Sequence, residues 1–326
     1  MMRCMTIRLA ILAGLLVAAT PAAGNGPPPE AVQQFEAGNY LAAARLIEPA
    51  FSKEPKNAAL AHWLARCYYE MRDVDKAVEY AERAVQLDPN KSDYHLILGH
   101  AMGRKADRDR SLGAARRTKR AFEDAVRANP RNIAARRALL DYLSSAPWIA
   151  GGSNSDARKQ AEAIAALDPV QGHLAWADYW MNDKKPERVE EELKKVLAAK
   201  PADAGAYAEA AAFYERLNSA EGIEAAASGG ASVKPADTRW DYYRGVALVV
   251  KGAQPGSAEK MLRGYLARQH SRSGLPSPVS AHLWLGRLYE QTKQCAKAVE
   301  EYRTALQLDA SNQQAKDGWK RAREKC

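Results

Sequence analysis

The side chains that most often bind metals or attack substrates are few in this sequence and widely spaced. Six histidines and four cysteines occur among 326 residues. The two histidines nearest in sequence, His95 and His100, stand five residues apart, which places them on different faces of a helix. No two cysteines are close enough in sequence to form a zinc-binding pair. The sequence therefore predicts no metal site and no cofactor.

Serine and glutamate side chains also give no sign of a catalytic centre. Ser257 and Lys260 have the offset of a serine–lysine nucleophile pair, but a serine directly after a Pro-Gly pair more often caps the start of a helix. The acidic run 190–192 is followed by lysines, which is typical of a solvated helix face. The sequence contains neither a glycine-rich phosphate loop nor a serine elbow. We expect a protein that is not an enzyme.

The first 24 residues have the three parts of a secretory signal peptide. A basic stretch ends at Arg8, an apolar run extends over residues 9–19, and small residues follow at 22–24. An apolar run of about 11 residues is too short to cross a bilayer, which needs about 20. Residues 1–24 are therefore predicted to be cleaved, leaving residues 25–326 without a transmembrane span, in the periplasm or secreted.

Basic residues outnumber acidic ones along the chain. The formal net charge is +9 at pH 7, and +7 remains without residues 1–24, which carry Arg3 and Arg8 and no acid. Such a balance often accompanies nucleic-acid binding. An exported protein would instead meet acidic partner proteins or anionic envelope polymers, so we predict no nucleic-acid partner and keep contact with an anionic envelope surface as an alternative.

Prolines recur at regular intervals behind segments with helical character. Six of them are separated by 34, 41, 39, 32 and 34 residues: Pro55, Pro89, Pro130, Pro169, Pro201 and Pro235. Proline ends a helix because it has no amide hydrogen and clashes with the preceding turn. A period near 34 residues predicts stacked helix–turn–helix units.

Two segments carry the repeat most clearly. Residues 58–91 and 279–312 place large, small and aromatic residues at matching positions: Leu64, Ala65, Tyr68, Ala77, Ala81 and Ala84 in the first, and Leu285, Gly286, Tyr289, Ala298, Tyr302 and Ala305 in the second. This pattern resembles the tetratricopeptide repeat family. The resemblance implies an all-α, right-handed α-solenoid over residues 25–326, with about eight repeats, a truncated first repeat and a capping helix at about 313–326.

Three segments depart from the repeat. The third repeat carries about seven extra residues within a strongly basic stretch, 104–120, and the fourth contains an extra loop at 146–153. The sixth repeat combines two glycines with serines at 228–232, which predicts a bend or local weakness near 217–237.

Two of the cysteines stand at corresponding ends of the last two predicted helices. Cys295 opens the second helix of the last repeat, and Cys326 closes the capping helix. Antiparallel helices that turn near residues 309–312 would bring these ends together, so we predict a Cys295–Cys326 disulfide. Cys67 lies among apolar helix positions and is expected to be an inert core thiol.

The resemblance implies that a partner lies in the groove lined by the first helix of each repeat. The register gives seven partner-binding positions: His62, Arg66, Tyr69, His100, Arg104, Arg137 and Asp141. The same surface continues through Asp178, Tyr242 and Arg287. Its basic, partly aromatic half suits a peptide carboxylate or an acidic segment. The asparagines with which chaperone-binding members clamp a carboxylate have no counterpart here.

These features predict a non-catalytic scaffold that binds a protein or peptide in the bacterial cell envelope. An alternative of another class is a binder of lipopolysaccharide or glycan that uses the basic surface, including residues 104–120. Such binding through a basic stripe weakens steeply as ionic strength rises, whereas an anchored peptide keeps its affinity.

Overall fold

The chain folds into α-helices joined by short turns. The computed structural model describes residues 26–268 and 274–325, so the predicted signal segment 1–24 and Cys326 lie outside the described residues. Within those two ranges there are seventeen α-helices and no strand. The all-α class is therefore confirmed.

The helices form eight hairpin pairs followed by a single helix. In chain order they are α1 (Pro29–Glu36), α2 (Tyr40–Lys53), α3 (Ala58–Glu70), α4 (Val74–Leu87), α5 (Ser92–Asp109), α6 (Leu112–Ala128), α7 (Ile133–Ser145), α8 (Asn154–Leu167), α9 (Pro169–Asn182), α10 (Pro186–Ala198), α11 (Ala204–Arg216), α12 (Ala220–Val233), α13 (Arg239–Lys251), α14 (Pro255–Ala267), α15 (Pro278–Gln291), α16 (Cys295–Leu308) and α17 (Gln313–Lys325). Odd-numbered helices up to α15 are the first helices of repeats 1 to 8. The two repeats predicted at 58–91 and 279–312 coincide with the pairs α3–α4 and α15–α16.

Short polar side chains fix where many of these helices begin. The Asn57 side-chain oxygen accepts hydrogen bonds from the amides of Ala59 and Leu60, at 3.1 and 3.3 Å, and so satisfies donors that the first turn of α3 leaves free. Ser257 does not have the capping role predicted for it, because α14 begins two residues earlier at Pro255.

Small residues let the two helices of a repeat approach closely. On α4 the alanines at 77, 81 and 84 are buried against α3, whose Leu64 and Ala65 are fully buried. Successive repeats then bury one another's apolar faces, as a solenoid requires. From Leu174 to Ala322 the buried residues form one continuous core through repeats 5 to 8 and α17, whereas repeats 1 to 4 are held by smaller clusters.

The glycines of repeat 6 do not interrupt its second helix. α12 is continuous from Ala220 to Val233, so the glycines do not break the helix, and the bend or local weakness near 217–237 stays a prediction. A Cβ atom at Gly229 would stand 2.3 Å from the Tyr207 ring, and one at Gly230 would stand 2.2 Å from the Trp240 ring. Here glycine admits aromatic rings against the helix backbone, and the packing outweighs its low helix propensity.

α17 closes the end of the solenoid. Its Trp319 packs against the core, and the Arg321 guanidinium pairs with the Glu290 carboxylate of α15 at 2.9 Å. The predicted partner of Cys295, Cys326, lies outside the described residues, and the disulfide stays a prediction. Among the helices described, none is long and apolar enough to cross a membrane.

Candidate functional site

Six of the seven predicted partner-binding residues line two adjoining cavities formed mainly by first helices of the repeats. The proximal cavity, about 400 Å³, lies between α1, α3 and α5, and the distal cavity, about 430 Å³, lies between α5, α6 and α7. His62 and Arg66 line the proximal cavity, Arg104 and Asp141 line the distal one, and Tyr69 and His100 line both. The two cavities therefore form one continuous surface.

Helical periodicity brings these side chains together. His62, Arg66 and Tyr69 follow one another at spacings of four and three residues on α3, so they share one face of that helix. His100 and Arg104 repeat the four-residue spacing on α5. The opposite face of α3 is buried in the core and fixes the orientation of the helix.

Arg66 is held between two aromatic rings. Its guanidinium carbon lies 4.5 Å from the ring centre of Phe35 and 4.2 Å from that of Trp63. Burial lowers the pKa of Arg66. No carboxylate within the described residues forms an ion pair with it. Glu70 and Asp93, which line the same cavity, act on Arg66 electrostatically without direct contact, so its guanidinium donors can still pair with an anionic ligand.

Arg104 has a similar environment one repeat further along. Its guanidinium carbon lies 3.4 Å from the ring centre of Tyr69, and the same group donates a hydrogen bond to the Tyr69 carbonyl oxygen. Like Arg66, it has no carboxylate ion pair in the part of the chain that the structure describes. Both arginines are therefore oriented by aromatic contacts and retain donors for a ligand.

His62 and His100, which line the same cavities as these arginines, are neutral at pH 7. Burial, followed by the charge of Arg66, lowers the pKa of His62 to about 4. Burial, followed by the charge of Arg104, also lowers the pKa of His100. The His62 Nδ1 atom is buried and has no hydrogen-bond partner. An unpartnered nitrogen that is buried costs free energy and is not reached by a ligand in the cavity.

Arg137 differs from the other predicted cations. Its guanidinium pairs with the carboxylates of Asp178 on α9 and Glu209 on α11. Burial acts against the Arg137 cation, but these carboxylates outweigh it and raise the pKa of Arg137. Arg137 therefore joins repeats 4, 5 and 6, and its charge is already neutralised.

Further along the groove, several side chains pack against one another beside a cavity of about 310 Å³ that Glu215, Trp284 and Arg287 line. Tyr242, predicted to lie on the groove surface, is fully buried, and its hydroxyl donates to a Glu215 carboxylate oxygen at 2.8 Å. The Trp284 indole nitrogen donates to the same oxygen at 2.6 Å. Burial raises the pKa of Glu215. Arg287 stacks on Trp284, with 4.4 Å between guanidinium carbon and ring centre.

The basic stretch 104–120 extends both helices of repeat 3, and acidic neighbours neutralise much of it. Arg108 pairs with Asp75 of α4 at 2.8 Å, and Arg117 pairs with Glu82 of the same helix. Lys105 pairs with Asp109 at 2.8 Å. The cationic surface of the stretch 104–120 is therefore smaller than its number of lysines and arginines suggests.

Several residues of the proximal cavity could not be assigned from the sequence. Phe35 comes from α1, a short helix in a repeat that lacks most of the signature positions. Trp63 lies beside the predicted stripe, and its contact with Arg66 depends on side-chain packing. Glu70, Asp93, Leu96 and Ile97 complete the wall. Glu70 on α3 and the three residues on α5 could have been assigned to this cavity from their helical spacing relative to His62 and His100.

Other chemistry is sparse among the described residues. No group of three or more histidine, cysteine or acidic side chains in residues 26–268 and 274–325 is placed to hold a metal ion. Cys67 is buried and forms no disulfide, and burial raises the pKa of its thiol to about 12. That environment is the inert one expected of a core thiol.

Hairpins stacked in sequence, with a groove along their first helices, define the chain as an α-helical repeat solenoid. Residues 34–100 and 250–314 each match sequence profiles described as tetratricopeptide repeat. These two segments of the chain are thus similar to the tetratricopeptide repeat family. Members of this family generally bind proteins and are generally non-catalytic.

Solved structures share the architecture at low sequence identity. A tetratricopeptide repeat protein from Parabacteroides merdae is similar at 12% identity and a TM-score of 0.51, covering 90% of this chain and 96% of that one. A chain of the APC/C hetero-tetramer Cut9–Hcn1 is similar at 14% identity and a TM-score of 0.50, covering 90% of this chain and 55% of that one. No protein of curated function matches the sequence. These likenesses concern the fold alone.

Proposed function

We propose that this protein is a non-catalytic scaffold that binds an acidic or carboxylate-bearing peptide segment across the proximal and distal cavities. One observation supports this assignment above others. Arg66 and Arg104 are both oriented by aromatic rings on the groove surface, and neither has a carboxylate ion pair in the described chain.

The surroundings of the two arginines specify the ligand further. Phe35, Leu96 and Ile97 give the proximal cavity an apolar wall, which suits an apolar side chain beside the bound carboxylate. Tyr69 and His100 are common to both cavities, so one extended segment can contact both. Neutral His62 and His100 add hydrogen-bonding groups without adding charge.

The cell envelope is the compartment we propose for this binding. The basis is the signal-like pattern of residues 1–24, together with the basic charge of the remaining chain. Binding of lipopolysaccharide or glycan stays the alternative function. The ion pairs of Arg108 and Arg117 with α4 give it less support than the groove gives to a peptide.

A peptide selection tests the assignment. The protein would be incubated with two random peptide libraries, one with free and one with amidated C-termini. The affinity of each recovered peptide would then be measured by fluorescence anisotropy. We expect enrichment of peptides with a carboxylate next to an apolar residue. The double variant Arg66→Gln, Arg104→Gln should weaken their binding by about tenfold or more, because charge-assisted hydrogen bonds are lost.

A matched variant controls for charge. Arg131→Gln with Arg303→Gln removes the same charge from exposed arginines outside both cavities, and it should leave peptide affinity unchanged. Equal loss in both double variants, or recovery of peptides without acidic groups, would contradict the proposal. Binding of lipopolysaccharide by both variants, with steep loss at raised salt, would favour the alternative.

A further inference from the structure

The turn between α7 and α8 presents a large apolar tip to solvent. Trp148 is 84% exposed and Ile149 is 48% exposed. Every other tryptophan in the described chain is buried or half-buried. A tryptophan so exposed costs solvation free energy, which points to contact with another apolar medium.

The turn is a fixed structure. Residues 148–150 form one turn of 3₁₀-helix, and the Ser153 amide donates to the Leu143 carbonyl at 2.8 Å. The Tyr142 hydroxyl lies 2.7 Å from the Ala115 carbonyl oxygen of α6 and 2.8 Å from that of Ala150. These bonds hold the turn against α6, so the indole is directed outwards by the backbone.

Glycine is required at the base of this turn. Gly151 has a φ of +95°, which side chains disfavour. A Cβ atom at Gly152 would stand 1.8 Å from the Ala146 carbonyl oxygen. Two glycines are thus required by a turn whose outermost side chains are apolar and contact little of the protein.

Cations surround the apolar tip. The Arg116 guanidinium donates to the Ile149 carbonyl oxygen at 3.3 Å, which places its charge beside the tip. Arg120 follows one helical turn later on the same face of α6, and Leu112, 39% exposed, precedes Arg116 by one turn. Neither arginine forms an ion pair with a carboxylate of the described residues.

We propose that this tip, defined as Trp148, Ile149, Arg116 and Arg120, binds the surface of a bilayer that contains anionic phospholipids. Tryptophan favours the headgroup region of a membrane, and arginine binds phosphate oxygens. A protein-binding patch is ordinarily a wider apolar surface with packed neighbours. Two apolar side chains on one rigid turn, flanked by cations, have the composition of an interfacial anchor.

Vesicle binding tests the proposal, and peptide affinity measured on the same variants shows whether the distal cavity, which Ala146, Pro147 and Ala150 of this turn also line, is affected. The protein would be titrated with vesicles of equal parts phosphatidylglycerol and phosphatidylcholine, and with vesicles of phosphatidylcholine alone. We expect binding to the first kind only, with quenching of tryptophan fluorescence by brominated lipids that is lost in Trp148→Ser. Trp148→Ser should lower the partition coefficient by about tenfold, and Arg116→Gln by about fivefold.

Two variants serve as matched controls. Leu308→Ser alters another exposed apolar side chain, 55% exposed at the end of α16, and Arg303→Gln removes another exposed cation. Both should bind vesicles like the unaltered protein. Circular dichroism checks that all four variants fold. We expect Trp148→Ser to fold because Trp148 is largely exposed. Failure to bind anionic vesicles, equal binding to neutral ones, or full binding by Trp148→Ser would each overturn the proposal.

Discussion

The two halves of the groove differ in how some of their charged side chains are used, although Arg287 stacks on Trp284 much as Arg66 stacks on Trp63. In repeats 2 and 3, Arg66 and Arg104 rest on aromatic rings and lack carboxylate partners. In repeats 6 to 8, the Glu215 carboxylate receives hydrogen bonds from a tyrosine and a tryptophan of later repeats. First helices of one repeat fold thus carry the cations proposed to bind a ligand in the first region and groups used in internal packing in the second.

This difference separates a cation that stabilises the fold from one that is available to a ligand. Arg137 lies between the two regions, on α7, and has the packing role because Asp178 and Glu209 neutralise it. Residue type and register alone would have grouped it with Arg66. The partner across the groove decides which role an arginine has.

The largest expected effect is that of Arg137→Ala. It leaves the Asp178 and Glu209 carboxylates facing each other without a cation. We expect the free energy of unfolding to fall by about 3 kcal/mol, reduced from the fully buried case because the side chains are partly exposed. Urea denaturation followed by circular dichroism measures this. A loss below that of an ordinary surface substitution would show that the three charges are not coupled.

Acidification should act on the two regions with opposite signs. The pKa of His62 lies below its unfolded value of 6.5, at about 4, so the unfolded state binds the proton first as pH falls. Stability from neutral His62 is therefore complete above pH 6.5 and is lost towards pH 4, by at most about 3 kcal/mol. The pKa of Glu215 is raised, so its protonation favours the folded state over the acidic range.

Urea midpoints measured at several pH values check these signs. Exchange of His62 for glutamine should flatten the loss of stability between pH 6.5 and 4. Glu215→Gln should remove the opposing contribution and leave a steeper loss. An unchanged pH profile in both variants would mean that neither group titrates differently in the folded and unfolded states.

Glu215→Ala should have a smaller effect than Arg137→Ala. It leaves the Tyr242 hydroxyl and the Trp284 indole nitrogen buried without their acceptor, at a cost of about 2 kcal/mol. Peptide affinity in the proximal and distal cavities should not change, because these lie in other repeats. Combined urea and anisotropy measurements separate the two outcomes, and a loss of peptide binding would show that the halves are coupled.

Arg66→Ala should change stability least. It removes contacts with Phe35 and Trp63 but also removes a partly buried, unpaired cation, so we expect the free energy of unfolding to change by less than about 1 kcal/mol. Binding of an acidic peptide should nevertheless fall. A strong destabilisation would instead assign Arg66 the packing role of Arg137 and would remove the contrast between the regions.

Much of the architecture was predictable because it depends on local periodicity. The proline spacing and the alanine positions gave the repeat register, and Cys295 is indeed the first residue of α16. The same register placed six of seven proposed residues in the two cavities. Helical spacing is a property of neighbouring residues, so one sequence suffices to detect it.

The features that local spacing did not predict lie where distant side chains meet. The burial of Tyr242 depends on Glu215 and Trp284, and the continuity of α12 depends on rings from Tyr207 and Trp240. Glycine has low helix propensity in isolation, but no local pattern shows that an aromatic ring will occupy the space it leaves. These features depend on contacts between residues that are distant in sequence, and helical spacing does not reveal such contacts.

The hydrogen bond from Trp284 to Glu215 joins repeat 8 to repeat 6 and passes over repeat 7. Under a mechanical pull on the two ends of the chain, contacts between adjacent repeats alone allow hairpins to detach one at a time. A hydrogen bond that spans an intervening repeat prevents the repeats that it joins from detaching one at a time. The Arg137–Glu209 ion pair likewise joins repeat 4 to repeat 6. Repeats 1 to 3 should therefore detach in short successive extensions, and repeats 4 to 8 should release together in a single longer step.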